Sequence, residues 1–125
     1  MNTILIVEDD RNLLRLYQAE METEGYPVLL AKNGNEATEC VARETPDLII
    51  MDIRMPDKDG LDAMAEILRN HGKIPIILNS AYSSYQDDFL TWAADAYVIK
   101  SADLEPLKIK IREILSLRED PLSRR

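Results

Sequence analysis

Apolar residues recur along this chain with two alternating periods. Ile4–Val7 is a short apolar run rich in β-branched residues, which predicts a strand buried on both faces. Leu13, Leu14, Tyr17 and Met21 then return at helical spacing, and Gly25 stops that helix. Pro27–Ala31 predicts a second strand, with the proline at its start or at a sheet edge. After the Asn33–Gly34 turn signal, Ala37, Cys40 and Val41 mark a second helix that ends before Pro46. Asp47–Met51 predicts a third strand, residues 52–59 a loop, and Gly60 the start of a helix with Leu61, Met64, Ala65 and Leu68 on one face. Lys73–Leu78 predicts a fourth strand, and residues 84–94 a weaker helix with Tyr85, Phe89, Trp92 and Ala93. Ala96–Ile99 predicts a fifth strand, and Leu104, Leu107, Ile111, Ile114 and Leu115 form the clearest helical stripe. Five strand–helix repeats imply an α/β fold: a doubly wound five-stranded parallel sheet with right-handed crossovers, in the order 2-1-3-4-5. Residues 1–118 are read as one domain and 119–125 as a tail or the start of a linker.

Composition narrows the function. With 125 residues, 46% hydrophobic and 30% charged, the chain suits one domain with a real core. Its net charge of -8 repels phosphate backbones, so direct nucleic-acid contact by this segment is not expected. The one cysteine, Cys40, lies on a helical apolar stripe and reads as a core residue; with no internal disulfide possible, a reducing compartment suits the chain. The single histidine, His71, has no second histidine to build a zinc site with and reads as a surface residue. Neither a signal-peptide pattern nor a membrane-length apolar run is present, so a cytoplasmic location is expected.

Open α/β sheets bind ligands at the carboxyl ends of their strands, near the switch in strand order. There the chain places Glu8, Asp9 and Asp10 after strand one, Asp52 after strand three, Asn79 and Ser80 after strand four and Lys100 after strand five. In the order 2-1-3-4-5, strands one and three are neighbours, which crowds Glu8, Asp9 and Asp52 together. Such carboxylates repel unless a pKa rises or a cation binds. An oxygen-only donor set suits magnesium. Adding a lysine and a hydroxyl makes a site for a phosphoryl group, whose charge the cations would neutralise. Singly, each residue has an ordinary reading: Asp9 or Asp10 as an N-cap, Ser80 or Lys100 as a turn residue. Trp92 reads as packed or half-packed on its helix.

The segments ILIVEDD, PDLIIMDIRMPDKDG, LNSA and AYVIK resemble the receiver domains of bacterial two-component response regulators, including those of the chemotaxis-regulator type, over Thr3 to about Leu117. The resemblance implies a flavodoxin-like three-layer (βα)5 fold. It implies Asp52 as phosphoacceptor, with Asp9 as direct magnesium ligand, Glu8 acting largely through water and the backbone carbonyl of Arg54 completing the protein ligands. It puts Ser80 and Tyr97 at the switch positions, Lys100 at the lysine position, and Arg54 and Tyr82 at positions that tune the lifetime of the phosphorylated state. Two residues depart from the family pattern: Ser101 stands where proline usually follows the lysine, and Ala96 where glycine often precedes the aromatic residue.

The resemblance implies a phosphorylation switch. Its phosphoryl donor would be a sensor histidine kinase or phosphotransfer protein. Its downstream protein partner would read the face made by the fourth helix, fifth strand and fifth helix. Such a domain acts as a monomer or weak dimer without being a conventional enzyme, while catalysing its own phosphorylation and dephosphorylation. A phosphohydrolase of the same architecture is disfavoured, because the loops are too short to enclose a substrate. An interaction module without phosphorylation fits poorly with the complete set Glu8, Asp9, Asp52, Ser80 and Lys100. A nucleotide site is disfavoured by four unclustered glycines.

Overall fold

The computed structural model describes residues 2–55, 59–81 and 89–119. Five parallel strands, β1 (Ile4–Val7), β2 (Val28–Ala31), β3 (Leu48–Met51), β4 (Ile76–Ser80) and β5 (Ala96–Ile99), form one sheet in the order β2-β1-β3-β4-β5. The expected order is therefore observed. Helices α1 (Arg11–Thr23), α2 (Gly34–Arg43), α3 (Gly60–Asn70) and α4 (Glu105–Glu119) cover it.

Alternation along the strands divides the core into two layers. Leu5, Val7, Ile49, Met51, Ile76 and Leu78 face the side packed by Cys40 and Val41 of α2 and by Met64 and Ile67 of α3. Ile4, Ile6, Leu48, Ile50 and Ile77 face the side packed by Leu14, Tyr17 and Met21 of α1 and by Leu107, Ile111 and Leu115 of α4. Cys40 is buried, as its stripe position predicts. Across the second layer, Lys108 pairs with Glu20 at 2.7 Å and Arg112 with Glu24 at 3.0 Å, tying α4 to α1.

Local chemistry fixes the helix ends. The Asp10 carboxylate accepts from the amides of Asn12 and Leu13 and caps α1. Asn33 and Asp59 cap α2 and α3 in the same way. Beyond α1, Gly25 takes φ 94°, a left-handed geometry that suits glycine.

Several expectations need correction. The fourth strand begins at Ile76, not Lys73, because residues 71–74 close a turn through the Ile74 amide and the His71 carbonyl. It also runs on through Asn79 and Ser80, which pair with Val98 and Ile99, so these residues lie within the strand rather than after it. The buried face of α3 carries Leu61, Ala63, Met64 and Ile67, while Ala65 is exposed and Leu68 half-buried. Of the helix expected over 84–94, the described part is a short 3-10 helix, Phe89–Ala93. Trp92 is less covered than expected, at 71% exposed. The last helix runs through Glu119, and residues 120–125, the bulk of the expected tail, lie outside the described set.

Candidate functional site

The strand register assembles the site. Val7 pairs with Met51 and Met51 with Leu78, so one step further Glu8, Asp52 and Asn79 form a row across three strands. Ile53 lies in the opposite layer from Ile50, so the alternation holds through Asp52 and sends its side chain to the α1 side. Glu8, Asp9 and Asp52 each present a carboxylate oxygen within 4.8 Å of the others. Glu8 and Asp52 are buried, whereas Asp9 is exposed at the mouth. An open cleft of about 260 Å³ lies over them, lined also by Asp10, Leu13, Arg54, Ala81 and Lys100.

Lys100 enters this cluster from the end of β5. Its ammonium lies 2.5 Å from Glu8 Oε1 and 3.3 Å from Asp52 Oδ2. The shorter contact makes Glu8 its principal partner, a pairing that sequence reasoning missed. The Glu8 carboxylate also accepts from the Asp10 amide at 3.1 Å. Burial pushes the Glu8 pKa up to about 7; the hydrogen bonds from Lys100 and the Asp10 amide oppose that rise, and the Asp52 charge adds to it. Burial also raises Asp52; Lys100 pulls it down and the charge of Asp9 pushes it up. For Lys100, burial acts to lower the pKa, but the bond to Glu8 and the charge of Asp52 outweigh it, so the lysine is held protonated.

The backbone around the cluster is equally specified. The Lys100 amide donates to the Ser80 carbonyl at 2.7 Å. The Lys100–Ser101 peptide is trans, and the Ser101 hydroxyl accepts from the Asp103 amide at 3.0 Å. The departure at position 101 thus leaves Lys100 in reach of both acids. The loop after Asp52 returns at Gly60, whose amide donates to the Ile53 carbonyl at 2.6 Å. A Cβ at position 60 would overlap the Asp52 backbone carbonyl and lie 2.8 Å from Ile53 Cα. Asp59-Gly60 is therefore a helix cap followed by a residue with no room for a side chain; the sequence signal is the dipeptide itself.

The expected site residues divide by location. Glu8, Asp9, Asp52 and Lys100 converge, and Arg54 is exposed on the rim of the cleft. Ser80 is fully buried at the end of β4. Tyr97 is half-buried on β5 and packs against the α2–α3 layer, away from the carboxylates. Tyr82 lies outside the described residues. His71 caps the C-terminal end of α3 and is not among the residues lining the cleft.

Similarity to known proteins accords with this geometry. Residues 4–112 match the response regulator receiver domain. The chain belongs to that family. Over 117 residues it is 38% identical to the response regulator ArlR of Staphylococcus saprophyticus, covering 92% of this chain and 53% of that protein. It is 35% identical to the regulatory protein AtoC of Escherichia coli, covering 94% of this chain and 26% of that protein. The receiver thus spans about half or less of these relatives. The response regulator TrrA of Thermotoga maritima, solved in complex with Mg(2+)-BeF, superposes with a TM-score of 0.89 at 40% identity, over 91% of this chain and 99% of that one. In a second structure TrrA is in complex with the histidine kinase ThkA; there the TM-score is 0.87 at 41% identity, over 92% and 99% of the two chains. This chain is accordingly a receiver domain of two-component response regulators, a signalling domain rather than a conventional enzyme. None of its described helices is long and apolar enough to cross a membrane.

Proposed function

We propose that the receiver accepts a phosphoryl group on Asp52 from a sensor histidine kinase or phosphotransfer protein and is thereby switched between two partner-binding states. One observation carries this reading: a buried Asp52 carboxylate 3.3 Å from a lysine ammonium and within 4.8 Å of two further carboxylates, at the mouth of an open cleft. A carboxylate oxygen of Asp52 attacks phosphorus, and the donor's P–N bond breaks with its electron pair leaving on the imidazole. Lys100 offsets the charge gathered on the phosphoryl oxygens.

The donor set fits magnesium. Three carboxylates, no sulfur or imidazole, and an open cleft with room for water match its oxygen-rich, partly hydrated shell. Asp9, Asp52 and the Arg54 carbonyl would hold it, with Glu8 acting through water and through Lys100. Bound there, magnesium would supply positive charge to the phosphoryl oxygens.

In the switched state the Ser80 hydroxyl donates to a phosphoryl oxygen and Tyr97 turns inward. The partner surface is then the 3-10 helix, β5 and α4, with Trp92 exposed on it. Phosphorylation acts by favouring one of two arrangements. Arg54 and Tyr82 set how long the phosphorylated form lasts, the receiver removes its own phosphoryl group, and the work is done in the cytoplasm.

The test is intact-mass analysis after incubation with magnesium and a small acyl phosphate. The expected result is one added phosphoryl group in the parent and none in Asp52→Asn. Equal labelling of both proteins would sink the assignment.

A further inference from the structure

The row Glu8–Asp52–Asn79 has a third member that phosphoryl chemistry does not call for. Asn79 is 3% exposed and Tyr17 2% exposed, and the Asn79 Nδ2 donates to the Tyr17 hydroxyl at 3.1 Å. Around them the layer is apolar: Leu14, Met21, Ile6, Ile50 and Ile77. A polar pair in such surroundings costs desolvation, which the bond between its members offsets. Burial raises the Tyr17 pKa, so the hydroxyl stays neutral, and it lies near enough to feel the charges of Lys100, Glu8 and Asp52.

The pair joins two elements that carry different parts of the site. Tyr17 belongs to α1, whose capping residue Asp10 directly follows Glu8 and Asp9. Asn79 belongs to β4 and directly precedes Ser80, whose carbonyl holds the Lys100 amide at 2.7 Å. Their bond is a direct side-chain link between α1 and β4. Apolar packing alone fixes depth better than lateral position, because it is non-directional; a hydrogen bond fixes both.

We propose that Tyr17 and Asn79 are positioning residues for phosphoryl transfer: their bond sets the spacing between the acidic pair ahead of α1 and the Ser80–Lys100 side of the cleft. The inference rests on Asp52 being the phosphoacceptor.

The experiment compares Tyr17→Phe, Asn79→Leu and the double variant with the parent and with Asp52→Asn. It uses acetyl phosphate as donor over a magnesium series, with thermal melting alongside. Each single variant should slow phosphorylation about tenfold at saturating magnesium, as loss of a supporting hydrogen bond does at other polar sites. The magnesium concentration giving half-maximal rate should hold, since neither side chain is a ligand. Tyr17→Phe strands a buried amide and should melt earlier; the double variant removes that amide and should regain most of the lost melting temperature. Its rate should nevertheless stay about tenfold low, no worse than either single variant. Recovery of rate along with melting temperature in the double variant would show that the bond only stabilises the fold, and overturn the proposal. Parental rates in both single variants, or rate losses that multiply in the double, would overturn it too. If the parent itself takes no phosphoryl group on Asp52, the functional reading fails first and is recognised separately.

Discussion

β1 and β3 are buried residue for residue, while β5, at the edge of the sheet, leaves Ile99 39% exposed and Tyr97 only half-buried. The acids sit at the ends of the first pair. Ser80 and Lys100 come from the β4–β5 side. The central strands have neighbours on both edges and both faces, so a shift of Asp52 disturbs a packed core. β5 has one neighbouring strand, and the short helix leading into it exposes its largest side chain, Trp92. A switch needs both kinds of region. Charge must be placed reproducibly where chemistry occurs, and the moving surface must be the part that packing restrains least.

The largest expected effect strikes the rigid side. Gly60→Ala drives a methyl group into the Asp52 carbonyl and the Ile53 backbone. Urea unfolding should show a loss of about 3 kcal/mol, at the upper end for an overpacked site. Phosphorylation by acetyl phosphate should fall with it, because the atom displaced belongs to Asp52. A variant as stable and as reactive as the parent would show that the central strands yield more easily than their burial indicates.

A middle-sized effect comes from charge. Folding raises the Glu8 pKa from 4.5 to about 7 and raises Asp52, so the folded protein holds more protons than the unfolded chain between those values. The stability this contributes is complete below the ordinary carboxylate range and is lost as pH rises through about 7. Without magnesium, melting temperature should therefore fall from about pH 5.5 to pH 8, and Glu8→Gln should flatten much of that slope. Magnesium favours the ionised acids, so its stabilising effect should grow over the same interval. A stabilisation by magnesium that shrinks with rising pH would contradict the linkage.

The smallest effect tests the rim. Arg54 is exposed, where a guanidinium can hold a phosphoryl oxygen, and with Tyr82 it is proposed to set the lifetime of the phosphorylated form. Arg54→Asn combined with Tyr82→Glu should speed dephosphorylation several-fold in magnesium and leave the melting temperature near that of the parent. An unchanged phosphate half-life would remove both residues from control of the lifetime.

Much of this was legible in sequence because two periods and one topological rule carry it. Buried strands such as ILIV and LIIM declare themselves by composition, and the order of strands brings Glu8, Asp9 and Asp52 together. What stayed hidden depends on contacts between distant elements. Tyr17 looks like any stripe residue, and only the fold shows that Asn79 reaches it. Trp92 has the size and hydrophobicity of a core residue, and no local pattern distinguishes it from one. Lys73–Leu78 has strand composition, but residues 71–74 close a turn, so β4 begins later than its apolar pattern suggests. Gly60 could be noticed as half of a dipeptide; the reason for it, the Asp52 carbonyl, is a tertiary fact.

The contact between Lys100 and Glu8 spans 92 residues of chain. During synthesis the first strand and its acids emerge 92 residues ahead of the lysine that offsets their charge. Until then the acids lack the Lys100 ammonium, and closing so long a loop is an entropic cost that the assembled sheet meets. A nascent or truncated chain thus holds the acids but not the ammonium beside them. The proposed phosphoacceptor Asp52 thus gains its neighbouring ammonium only once the sheet has closed through β5.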